Sequence, residues 1–142
     1  MSRKNPPVAP KAALGRLKEI RVDLGMFDNT VICVVGPYSD LPAYVAWKHE
    51  SPGAANLRCW SPEPKGAYEY SHGHKPIVWI PRKPRTPAEF GTLAHELLHA
   101  IRAIMQDWAG IHFDRDTQEV YCHAIGFCMA EVLTALSTSN GR

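Results

Sequence analysis

Apolar residues fall at helical intervals toward both ends of the chain and run together in short blocks between them. Leu14, Leu17, Ile20 and Leu24 recur three or four residues apart, which predicts a helix over Ala12 to Leu24 stopped by Gly25. The block TVICVVG, Thr30 to Gly36, is β-branched and nearly all apolar, as a buried strand requires. LPAYVAWKHE then predicts a short helix, and LRCWS a short strand. Ser61 to Pro76 is dense in turn formers and reads as a long loop or an irregular hairpin. IVWIP, Ile77 to Pro81, predicts a strand, and its terminal proline suits a sheet edge. Two helices follow, roughly Pro87 to Gln106 and Asp116 to Leu136, joined by a loop that contains Gly110.

These elements add up to an α+β class: a small twisted sheet of three or four strands, with an N-terminal helix and two C-terminal helices packed on it. With 142 residues the chain buries one core and not two. Residues 1–10, with their prolines, are expected to be a flexible arm, 11–138 the single domain, and 139–142 a frayed tail. An apolar fraction of 45% and a charged fraction of 21% agree with an ordinary globular domain.

Several function classes are not expected. No run approaches 18 consecutive apolar residues, and MSRKNPPVAPK lacks the apolar centre of a secretory signal, so a cytoplasmic protein without a membrane partner is expected. Cys33, Cys59, Cys122 and Cys128 show no CxxC spacing and are expected as small buried hydrophobes. A net charge of +2 does not call for nucleic acid, and the basic residues Arg3, Lys4, Lys11, Arg82, Lys83 and Arg85 read as a solvated arm and loop. The oligomeric state is not written in these residues.

The candidate chemistry sits inside the first C-terminal helix, at His95-Glu96-Leu97-Leu98-His99. On a helix the two imidazoles lie about 40° and 6 Å apart on one face, close enough to reach one ion. Taking His95 as zero, Phe90, Leu93, Leu97, Ile101, Ile104 and Trp108 fall on the opposite side, at about 160° to 240°, so the histidines point away from the main apolar stripe. Glu96 is turned about 100° from His95, beside the ion rather than on it, where a general base takes a proton from a metal-bound water.

A catalytic zinc needs a third protein ligand. On the second helix Tyr121, Ile125, Cys128, Met129, Val132 and Leu136 form the apolar stripe, while Glu119 and His123 share the other face with Gly126 and Ala130. Small residues beside Glu119 would let another helix approach, which makes Glu119 the first candidate, followed by His123, Asp116 and His112. His123, one turn beyond, is assigned to orient a ligand or to donate to a developing oxyanion. His72 and His74 of SHGHK are read as exposed loop histidines.

The HELLH helix followed by a glutamate on a second helix resembles the gluzincin branch of the zincin metallopeptidases. The 20 residues from His99 to Glu119 match the spacing of thermolysin-like members. IVWIPRKPRTPAEFGTLAHELLHAI and EVYCHAIGF are similar to small putative metallopeptidases of bacteriophages and mobile elements; the resemblance covers about residues 76 to 137. It implies a minimal zincin-like fold and one zinc ion per chain on His95, His99 and Glu119. It also implies peptide-bond hydrolysis through a zinc-bound water activated by Glu96, with a peptide or protein substrate lying antiparallel along the Ile77 to Pro81 edge strand in a bacterial or infected cell. The chain departs from the thermolysin-like pattern at Gln118, where an asparagine precedes the ligand, and at His123, where an acid stands. The alternative is a catalytically inactive, zinc-stabilised module that binds protein or nucleic acid.

Overall fold

A computed structural model describes residues 14–25, 29–50, 64–70 and 73–138. The expectations for the arm at 1–10, the strand at 57–61 and the tail at 139–142 fall outside those residues. Strand β1 (Lys18–Leu24) pairs antiparallel with β2 (Asn29–Val35), β2 pairs parallel with β4 (Ile77–Ile80), and β4 pairs antiparallel with β3 (Ala67–Glu69). The order across the sheet is β1-β2-β4-β3. With helices α1 (Leu41–Lys48), α2 (Pro87–Ala103) and α3 (Gln118–Thr138), the class is α+β with a mixed, open, four-stranded sheet.

The two central strands, β2 and β4, are buried on both faces, which explains their apolar runs VICVV and IVWI. Val31, Cys33, Val35, Val78 and Ile80 point to α2 and α3, whereas Ile32, Val34, Ile77 and Trp79 point to α1. α3 has the length and hydropathy of a membrane span, yet it carries Tyr121, Ala124, Cys128, Val132 and Leu136 into the core beneath the sheet. Cys33 and Cys128 are buried as expected, and burial pushes both thiols up to about 12. Cys122 is exposed, against expectation, because it lies off the α3 stripe.

Two elements differ from the sequence expectation. Residues 18–24 form a strand, not the end of an N-terminal helix: Ile20, Val22 and Leu24 are buried while Arg21 and Asp23 are exposed. That is a period of two, and it competes with the helical spacing that begins at Leu14. IVWI is not an edge strand either. β4 is flanked by β2 and β3, and Pro81 falls just beyond the ladder, where its missing N–H costs no strand pairing. The segment 61–76 contains the irregular hairpin that was one of its two readings, through β3.

α1 is tied to the sheet by a partly buried polar cluster. Glu19 accepts from the Tyr44 hydroxyl, from Arg21 Nε at 2.6 Å and from Lys48 Nζ at 3.2 Å. Burial pushes the Glu19 carboxyl up, but the hydrogen bonds from Tyr44 and Arg21 and the Lys48 charge outweigh it and hold the group below its ordinary value. A depressed carboxyl contributes stability above its unfolded pKa and loses it as pH falls through the lower folded value. Glu19→Ala is therefore expected to cost about 2 kcal/mol in denaturant unfolding at pH 7, with the gap from wild type closing below about pH 4. An equal gap at pH 7 and pH 3 would contradict this account of the cluster.

Candidate metal centre

α2 begins at a capping box: the Thr86 side chain accepts from Glu89 N–H, the Glu89 carboxylate accepts from Thr86 N–H, and Pro87 occupies the first turn. Glu89 also receives Arg82 Nε at 3.0 Å, which ties the β4–α2 loop to the helix start. From there Leu93, Leu97, Ile101 and Ile104 are fully buried, as the periodicity requires. Phe90 and Trp108, assigned to the same stripe, are 37% and 51% exposed. For Trp108 the cause is local: Ile104–Trp108 is a π-helical turn, with Ala109 N–H donating to Ile104 C=O, and the wider turn rotates the indole off the stripe. Trp108 Nε1 donates to the Tyr70 hydroxyl at 3.2 Å.

The two motif histidines converge. His95 Nε2 and His99 Nε2 are 3.1 Å apart, with the rings nearly perpendicular at 81°. Two imidazoles on one tetrahedral zinc, at about 2.05 Å each, hold their nitrogens about 3.3 Å apart, so the pair already has the separation that a shared ion demands. Both side chains are exposed. Tyr68 of β3 stacks on His99, with centroids 5.5 Å apart and planes 17° apart. Burial, then the charges of Tyr70, Asp107 and Glu69, push the Tyr68 phenol up.

Glu96 is half-buried on the β3 side of the pair. Burial pushes its carboxyl up, and the nearby His95 and His99 offset this only in part. It shares with His95 a cleft of about 430 Å³, lined by Ala88, Gly91 and Thr92 of α2 and by Lys65 and Gly66 ahead of β3. Gly66 is needed there. A Cβ on it would lie 2.7 Å from Thr92 Cγ2 and 3.0 Å from Glu96 Cγ, so the β3 side reaches α2 only through a glycine.

Glu119 and His123 are elsewhere. They face each other at 3.9 Å, 77% and 86% exposed, and line a groove with Asp23, Leu24 and Gly25 at the end of β1. α2 and the π-helical turn after it continue about two turns beyond His99, to Trp108, before the chain reverses, about 13 Å at 1.5 Å per residue. α3 then runs back antiparallel: Tyr121 meets Leu98, Arg102 and Gln106, while Ser137 accepts from Lys83 ahead of α2. Glu119 faces the groove at the end of β1 and not the cleft at His95, and the Gly126 and Ala130 face is exposed instead of receiving α2. Asp116 and His112 lie in the α2–α3 loop, in a turn closed by Asp114 and Thr117. Among the described residues no group of three or more His, Cys, Asp or Glu is placed to hold a metal.

His74, expected to be exposed, is half-buried, its ring tilted by 34° against that of His49 with centroids 5.0 Å apart, and His49 is buried with its Nε2 3.3 Å from the Lys75 carbonyl; His72 lies outside the described residues. Tyr68 and Gly66 were not legible in the sequence, because the turn-rich composition of 61–76 hid the alternation in AYEY that marks β3.

No family model, no curated protein and no solved structure matches the chain.

Gly66→Ala is expected to destabilise the protein by about 1–3 kcal/mol through the clash with Thr92. Thr92→Ser, which removes Cγ2, is expected to recover part of that loss in the double variant, as read from unfolding midpoints. Strictly additive effects of the two substitutions would refute the close approach.

Proposed function

We propose that the chain is a zinc-dependent metallopeptidase of the zincin type, with its centre at His95, Glu96 and His99. One observation carries this: the two Nε2 atoms already stand 3.1 Å apart on an exposed helix face, beside a half-buried carboxylate. The pair suits an ion; the third ligand assigned to Glu119 is not assembled beside it. A zinc ion held there would polarise a scissile carbonyl and lower the pKa of a water to about 7.

Each residue then has a definite task. His95 and His99 bind through Nε2, and the Tyr68 ring holds His99 in orientation. Glu96, whose raised affinity for a proton suits a group that takes one and gives it back, accepts the proton of the attacking water and returns it to the leaving amine. The peptide backbone, expected along Ile77 to Pro81, is reassigned to β3, which has no strand on its outer side among the described residues. His123, exposed on α3, has no task in this proposal.

A second reading, a zinc-stabilised binding module without catalysis, asks for four protein ligands, of which only His95 and His99 converge among the described residues. It leaves Glu96 without a purpose. A nucleic-acid partner for that module also meets a loop already engaged, with Arg82 on Glu89 and Lys83 on Ser137.

The two readings part on Glu96→Gln. The peptidase is expected to keep about one zinc per chain in that variant and to lose hydrolysis of a mixed peptide library by at least about 100-fold, while His95→Ala loses both. Full hydrolysis by Glu96→Gln would overturn the mechanism. Glu119→Ala is expected to keep its zinc by elemental analysis; loss of the metal there would mean that the first turn of α3 moves to the pair when the ion binds.

A further inference from the structure

Arg102 stands one turn past His99 on the same exposed face of α2, about 4.5 Å further along the axis. Its Nε donates to Gln106 Oε1 at 3.1 Å, and Gln106 in turn meets the Tyr121 hydroxyl. Arg16, Arg21 and Arg82 are different: each guanidinium is paired with a carboxylate, of Asp40, Glu19 and Glu89. A neutral amide orients the Arg102 guanidinium through one nitrogen without compensating its charge. No carboxylate pairs with it among the described residues.

Beside this cation lies a hollow of about 360 Å³, walled by Leu98, Phe113 and Tyr121. Leu98 and Phe113 are 41% and 58% exposed, so the hollow opens between α2 and the α2–α3 loop. An apolar wall with one oriented, uncompensated guanidinium is complementary to a molecule that carries an apolar side chain next to a carboxylate.

We propose that this hollow holds the C-terminal residue of a peptide, with its apolar side chain against Leu98, Phe113 and Tyr121 and its α-carboxylate on Arg102. Recognition of the carboxylate needs no metal. What it implies for cleavage rests on the peptidase proposal: with the scissile bond at His95 and His99 and Arg102 one helical turn away, the enzyme would release short C-terminal fragments.

Calorimetric titration of the full chain, as purified and after chelation, with N-acetylphenylalanine, its amide and acetate tests this. Chelation removes any ion at His95 and His99 that could itself attract a carboxylate. In both states the acid is expected to bind at least about tenfold more tightly than the amide and than acetate, with the preference over the amide lost in Arg102→Gln and partly kept in Arg102→Lys. Equal binding of acid and amide, no binding of either at millimolar concentration, acetate binding as tightly as the acid, or a preference that survives Arg102→Gln would each overturn the proposal. Wild type that prefers the acid in this way but hydrolyses no peptide would sink the peptidase and leave the carboxylate site standing.

Discussion

Burial of one stripe of α2 against the sheet governs the rest of the site. Leu93, Leu97, Ile101 and Ile104 are fully buried, on a helix that packs against β4, β3 and α3. Each such side chain contributes about 1.5–3 kcal/mol when taken out of water, so the helix cannot rotate about its axis without exposing several of them. His95 and His99 lie opposite that stripe and are therefore held outward together. Their convergence needs no dedicated scaffold beyond the core, and the β3 side, brought close by Gly66, adds the Tyr68 ring against His99 and a wall beside Glu96.

The same packing keeps Glu119 away. α3 has its own apolar stripe and uses it against the sheet and α2, which turns the face with Glu119, His123, Gly126 and Ala130 to solvent. An antiparallel helix pair joined by a reversal after Trp108 brings residues 121–137 alongside α2, and position 119 faces the groove at the end of β1. A 20-residue interval from His99 matches the thermolysin-like spacing, but spacing along the chain is not distance in space when the first helix and its π-helical turn run on for about two more turns.

What the sequence made legible was what depends on one element at a time. The HELLH face, the stripes of both C-terminal helices apart from Phe90 and Trp108, the strand at Asn29–Val35 and the short helix at Leu41–Lys48 follow from local period. What it hid depends on a choice between partners. Ile20, Val22 and Leu24 satisfy a strand as well as a helix, and only pairing with β2 decides. IVWI carries a proline at its end that suits an edge, yet its continuous apolar run belongs to a central strand covered on both faces. The role of Arg102 was invisible for a related reason, because an unpaired guanidinium is recognised only once every neighbouring carboxylate has been placed.

The claim on which the account stands is that His95 and His99 share one ion through Nε2. Long-range proton–nitrogen NMR of the imidazoles during zinc titration measures this directly. The account predicts that the Nε2 resonances of His95 and His99 move together and saturate at one equivalent, while those of His49, His74, His112 and His123 stay in place. A titration in which the pair does not respond, or in which His123 or His112 moves with one of them, would contradict it.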